Sequence, residues 1–129
     1  MGRIFMKSQK GNAMVEMALV LPILILLLCG IIDFGRVFHV YLTIDHAGRE
    51  AARTASIGKF SDVVTIAVDK SGSLISASDV TVSYSDPNKV RGSLATVKID
   101  YQITFLTPII QPFFPTGLTL SDTTKMRIE

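Results

Sequence analysis

The sequence contains no tryptophan, a single cysteine and two histidines. One cysteine rules out an intrachain disulfide, so the fold must hold itself together by packing. His39 and His46 lie seven residues apart with no second pair of ligands beside them, which describes a solvated helix side and not a metal centre. Net charge is only +2, from 13 basic and 11 acidic residues. No basic surface with interleaved aromatics is present, so nucleic acid is not an expected partner. There is no phosphate loop, and the serines and threonines lack the histidine and carboxylate pattern of nucleophilic catalysis. The composition therefore points away from an enzyme, with no cofactor and no metal expected.

The charge that is present is unevenly placed. Arg3, Lys7 and Lys10 precede a long apolar run with no acid among them; beyond residue 11 the chain holds 10 basic and 11 acidic residues, a net charge of −1. The run itself, "KGNAMVEMALVLPILILLLCGII", is uncharged from Met17 to Ile32, and from Ala13 to Ile32 only Glu16 is ionisable. At 1.5 Å per residue, roughly 20 helical residues cross a hydrocarbon core of about 30 Å. No other stretch of the chain approaches this length, so a single pass is expected. Basic residues before the span and Asp33 after it place the N-terminus in the cytoplasm and the bulk of the chain outside it. Cys29 is a small apolar residue of this span.

Several readings of the N-terminal segment compete. A cleaved signal peptide needs a small-x-small site after its apolar core, and "CGIIDFGRVF" offers none. A lipoprotein needs small residues before the cysteine, but Leu26, Leu27 and Leu28 precede Cys29. Myristoylation favours Ser or Thr at position six, which is Met6. A plain uncleaved anchor accounts for neither Gly11 nor Glu16. "KGNAMVE" resembles the type IV prepilin signal: a short basic leader ending in glycine, then a glutamate, then an apolar helix. By that resemblance Gly11 ends the leader, Asn12 begins the mature chain and Glu16 is its fifth residue. Met17 departs from the aromatic often found after that glutamate. A charge within a membrane helix is usually paired or functional. The amine exposed on Asn12 lies one turn from Glu16, so in a bundle the carboxylate of one subunit can pair with the amine of a staggered neighbour. A carboxylate resting at headgroup depth near Lys10 is the plainer reading.

Beyond Ile32 the helical pattern continues. Val37, Tyr41, Ile44, Gly48, Ala51 and Ala55 form a stripe at spacings of three and four, while His39, Thr43, Asp45, Arg49, Glu50 and Arg53 fall elsewhere. Unbroken from Ala13 to Ser56, this helix would span about 66 Å. Pro22, Gly30 and Gly35 are places where it can bend, and Gly58 is a terminator. "SDVVTIAVDKSG" then favours a short helix, with Ser61 as a cap and Val63, Val64, Ala67 and Val68 sharing a face, although its β-branched content also allows a strand. Three strands come next. Val80, Val82 and Tyr84 alternate with polar residues, and "SDPN" turns the chain. From Ala95 to Phe105 the odd-numbered positions are apolar, and Leu118, Leu120, Met126 and Ile128 share the last face. The expected fold is α+β: a long N-terminal helix on a small antiparallel sheet of about three strands, with one short extra helix. The expected divisions are a leader (1–11), a transmembrane helix (12–33), its extracytoplasmic continuation (34–58) and a small α+β domain (59–129).

Between the second and third strands, "TPIIQPFFPTG" carries Pro108, Pro112 and Pro115, which exclude a regular helix or central strand. Ile109, Ile110, Phe113 and Phe114 make this loop apolar. They either fold back to complete a small core or form a candidate partner-contact patch facing another subunit or the membrane.

"GNAMVEMALVLPILILLLCGIIDFGRVF", "AGREAAR" and the closing "LTLSDTTKMRIE" together resemble the TadE-like family of tight-adherence (Flp) pilus assembly proteins. The resemblance is strongest over residues 10–58. It implies a minor pilin or pseudopilin in the inner membrane, with a periplasmic domain, taking part in adhesion or biofilm formation, and open to incorporation in the extracellular pilus. Its implied partners are the lipid bilayer, a prepilin peptidase, other minor pilins and inner-membrane platform proteins. Gly11 then matches the cleavage glycine, Glu16 the assembly glutamate and Pro22 the proline of the span. Asp33 and Arg36 match the acidic and basic residues of the membrane exit, spaced to form a helical ion pair. The small residues of "AGREAAR" permit close approach either to the protein's own sheet or to another helix. The alternative is an uncleaved, membrane-anchored module whose external β-rich domain binds a ligand.

Overall fold

The computed structural model describes residues 2–129, with side chains described from Gln9 onward. The side chains of Arg3 and Lys7, part of the expected leader, lie outside the described residues. A single helix, α1, runs from Gly2 to Ser56, about 82 Å of helix. It continues through Pro22, Gly30 and Gly35 without interruption. Through most of its apolar half the described side chains stand open: Leu19 is 69% exposed and Ile23 68%. Its second half is the spine of the folded domain.

The helix ends where glycine allows it. Gly58 has φ +84°, a left-handed value that costs glycine little. Its N–H donates to the Ala55 carbonyl (3.1 Å) and Lys59 N–H reaches back to Thr54 (3.2 Å). These two bonds close the Schellman cap and satisfy carbonyls that the helix end would leave open.

After a 3₁₀ turn at Phe60–Asp62, α2 covers Val63–Lys70 and buries Val63 and Ala67, with Val64 and Val68 half-buried beside them. Ser61 does not cap α2. It sits inside the 3₁₀ turn, its hydroxyl bonded to Asp62 (3.2 Å), and the N-cap position falls to Asp62 with no side-chain bond.

Three strands form an antiparallel meander: β1 (Val80–Tyr84), β2 (Leu94–Ile103) and β3 (Leu118–Arg127), in the order β1-β2-β3. Tyr84 faces Ala95 across the first pair, and Ile103 faces Leu118 across the second. In the β1–β2 turn, Asp86 accepts a bond from Asn88 N–H (2.8 Å), the Asx geometry that "SDPN" favours. Period-two alternation puts Ala95, Val97, Ile99 and Ile103 inward, all buried. β2 stops at Ile103, two residues short of the apolar alternation, because the chain turns toward α1 at Thr104.

The core lies between this sheet, α2 and the second half of α1. The buried stripe of α1 is Val40, Ile44, Ala47, Ala51, Ala52 and Ala55. Of the stripe read in the sequence, Ile44, Gly48, Ala51 and Ala55 are buried and Val37 packs against the core, while Tyr41 is 48% exposed and Val40 takes the interior place. The small residues of "AGREAAR" serve the protein's own sheet. A Cβ on Gly48 would fall 2.5 Å from Asp122 Oδ2 and 3.2 Å from Thr124 Oγ1, so β3 approaches the helix backbone closely there.

Candidate functional site: the membrane exit

The apolar half of α1 is long enough to cross a membrane. Gly11, Asn12 and Glu16 at its start are exposed, and Gly11 has no atom within 4 Å of where a Cβ would stand. Glu16 makes no ion pair among the described residues. The three sequence-marked residues therefore sit on one open segment of helix, and no contact among the described residues accounts for them.

At the other end of the span the arrangement is dense. Asp33 is 2% exposed. One carboxylate oxygen accepts Leu106 N–H at 2.8 Å; the other accepts Leu106 N–H at 3.0 Å, Thr107 N–H at 2.8 Å and the Thr107 hydroxyl at 2.7 Å. An ionised carboxylate has acceptor sites only, and here every near group is a donor. Arg36 lies one turn on, its Nη1 3.4 Å from Asp33 and 3.1 Å from the carbonyl of Thr104. The ion pair at spacing three exists, but the shorter bonds to Asp33 come from the loop 73 and 74 residues away.

This clasp answers two needs at once. The strand β2 has ended, so the N–H groups of Leu106 and Thr107 have no ladder partner and need an acceptor. Asp33 adjoins the apolar span, where a bare carboxylate is costly. Charge-assisted bonds, about twice as strong as neutral ones, resolve both. Sequence reading marked Asp33 and Arg36 but not Thr107 or Leu106, because nothing in "TFLTP" announces which helix residue it will meet.

Beyond Thr107 the proline-rich segment is ordered by tight turns. Ile110 and Gln111 N–H both donate to the Thr107 carbonyl (3.1 and 3.2 Å), and a 3₁₀ turn covers Gln111–Phe113. The Gln111 side chain returns a bond to the Phe105 carbonyl at 2.9 Å. Of the four apolar residues marked there, Ile110 is half-buried, while Ile109, Phe113 and Phe114 are 58%, 77% and 42% exposed. The expectation that they complete the core fails for these three. An apolar groove of about 420 Å³ runs between this loop and α1, lined by Leu26, Leu27, Gly30, Ile31, Phe34 and Ile109 among others.

His39 and His46 are both exposed on α1. Cys29 is half-buried within the apolar half.

The fold and this exit site define a class: an α+β domain carried on the end of one helix long enough to span a membrane, with the helix and a loop of the domain locked together at the boundary. Residues 11–53 match the family described as TadE-like protein, the family that the motifs of this helix resemble. The match opens on Gly11 and includes Glu16, Pro22, Asp33 and Arg36. No curated protein and no solved structure gives a match.

Proposed function

We propose that the chain is a minor-pilin-like or pseudopilin-like structural subunit, without catalytic activity, that takes part in assembly of a Tad (Flp) type IV pilus and so in adhesion or biofilm formation. The observation that carries this reading is the TadE-like match, which begins on Gly11 and contains Glu16. The protein is held in the inner membrane with its N-terminus cytoplasmic and its α+β domain on the other side. A prepilin peptidase cuts between Gly11 and Asn12. Glycine costs a helix interior about 1 kcal/mol relative to alanine, so the turn at Gly11 opens more readily for a peptidase than its neighbours do. Cleavage leaves a new amine on Asn12, and Glu16 of one subunit pairs with the amine of the next, fixing the axial register. Other minor pilins and platform proteins of the inner membrane are its partners.

The test is co-expression with a cognate prepilin peptidase, followed by mass analysis of the membrane-extracted chain. A mature form starting at Asn12 is expected, and Gly11→Leu should abolish it. Glu16→Ala should be cut normally but fail to enter pili. An intact leader beside an active peptidase overturns the processing step and leaves an uncleaved anchored module. Normal piliation with Glu16→Ala overturns the pairing.

A further inference from the structure

The loop at 106–114 lies beside the membrane helix, and its position along that helix is set by contacts at both ends. Asp33 holds Leu106 and Thr107. Further along the loop, Ile109 and Ile110 share a groove with Leu26, Leu27, Gly30 and Ile31. From Asp33 back to Leu26 is seven residues, about 10 Å along the helix axis. The loop thus runs back down the helix, alongside residues of the uncharged run.

A segment in that position carries exposed apolar side chains. Leu106, Ile109, Phe113 and Phe114 are 55%, 58%, 77% and 42% exposed, and on the neighbouring helix Phe34 and Phe38 are 73% and 56% exposed. Ile109 and Phe34 border the groove itself, and the others lie within a few residues of it on the same loop or helix. Residues 105–117 contain no charged side chain, and the Arg36 guanidinium beside them is turned onto the Thr104 carbonyl.

The span has a matching deficit. Met17–Ile32 is 16 residues, about 24 Å of helix against a hydrocarbon core of about 30 Å. Ala13–Val15 extend that run on the N-terminal side; at the exit end apolar contact can continue past Asp33 because its carboxylate is sealed, 2% exposed with every near partner a donor.

We infer that the 106–114 loop is a second membrane contact: Ile109, Phe113 and Phe114 enter the acyl–headgroup boundary of the outer leaflet, and lipid acyl chain occupies the groove between loop and helix. The occupant is lipid because the groove's helical wall is part of the span itself. Interfacial apolar segments enter about 5–10 Å, which agrees with the descent from Asp33 to Leu26. The clasp then does more than join loop to helix. It fixes the domain's height and tilt over the bilayer, since two contacts on one rigid body restrain what a single helix leaves free.

This inference rests on the helix crossing a bilayer, and the experiment separates the two. The native chain has no tryptophan, so a single introduced indole reports alone. Phe113→Trp, Leu24→Trp and Val90→Trp are each made in the full chain, reconstituted in phosphatidylcholine–phosphatidylglycerol vesicles containing lipids with a nitroxide near the headgroup or deep in the acyl chain. Phe113 and Val90 are exposed, so the folded domain tolerates both. Leu24→Trp should be quenched most by the deep label and Val90→Trp by neither. Phe113→Trp should emit to the blue of Val90→Trp and be quenched most by the shallow label. Emission from Phe113→Trp matching Val90→Trp, with Leu24→Trp quenched, overturns the loop contact and leaves the span intact. Blue-shifted emission that no lipid label quenches, and that fades as protein is diluted with lipid, assigns the patch to a second subunit and also overturns it. Failure of Leu24→Trp to be quenched removes the span beneath both.

Discussion

Replacing Asp33 with alanine tests the clasp directly. The substitution leaves the N–H groups of Leu106 and Thr107 and the Thr107 hydroxyl without an acceptor, while Arg36 keeps its bond to Thr104. Hydrogen bonds to a charged group contribute about 1.5–3 kcal/mol each. Three such bonds set an upper bound of about 5–9 kcal/mol. The loop can relax and admit water once the carboxylate is gone, so the realised loss is about 4 kcal/mol. That loss falls on the loop more than on the sheet, whose inward residues and ladder are untouched. Local opening governs amide exchange in such segments, and 4 kcal/mol corresponds to roughly a thousandfold. Hydrogen exchange of the reconstituted chain should therefore show the Leu106 and Thr107 amides accelerated by up to that factor, with amides of β2 at Val97 and Ile99 unchanged as an internal control. Asp33→Asn keeps one oxygen but turns an NH₂ toward donors, and should lose about half as much. Unaltered exchange at both amides in Asp33→Ala would refute the reasoning, because it would mean those groups are held by something else.

Further predictions concern the domain. Gly117 combines φ +83° with a Cβ position that overlaps the Ile103 carbonyl, so Gly117→Ala should cost about 3 kcal/mol in denaturant unfolding followed by circular dichroism. Gly92, at φ +92° but facing only the flexible Arg127 guanidinium, should cost about 1 kcal/mol when changed to alanine; equal losses would sink the backbone-overlap argument. Asp122 has its pKa raised by burial first and by the Asp45 charge, against the Thr124 hydroxyl and Arg49. Its protonated form is the one the fold favours, so its stability contribution is present at acid pH and lost as pH rises through the raised value. Asp122→Asn should thus be more stable than the native chain at pH 7, by less than about 1 kcal/mol, with the gap closing toward the ordinary carboxylate range. A variant less stable at pH 7 contradicts that sign.

The legible parts of the fold are those whose signal is local. The 20 residues from Ala13 to Ile32, with Glu16 alone ionisable, mark a membrane-length helix whatever surrounds them. The alternation of Ala95, Val97, Ile99 and Ile103 specifies which way each points once a sheet forms. Gly58 ends the helix because left-handed backbone is cheap for glycine and costly for its neighbours. The sequence was less decisive where two elements compete for one face. Tyr41 fits the apolar stripe by spacing, yet Val40 is the residue turned inward, since the angle at which α1 crosses the sheet depends on side chains from β2, β3 and α2.

Tertiary structure alone decided the exit site. Asp33 and Arg36 were recognisable as an acidic and a basic residue beside a span, and their spacing announced an ion pair. That the carboxylate is saturated by Leu106 and Thr107, 73 and 74 residues on, follows only from the fold. It happens because β2 ends at Ile103 and delivers unladdered N–H groups to the helix. The apolar loop was visible in the sequence as an anomaly, but its place along the helix was not. A hydrophobic pattern records what a side chain will avoid, whereas which surface it meets depends on where distant backbone donors find an acceptor.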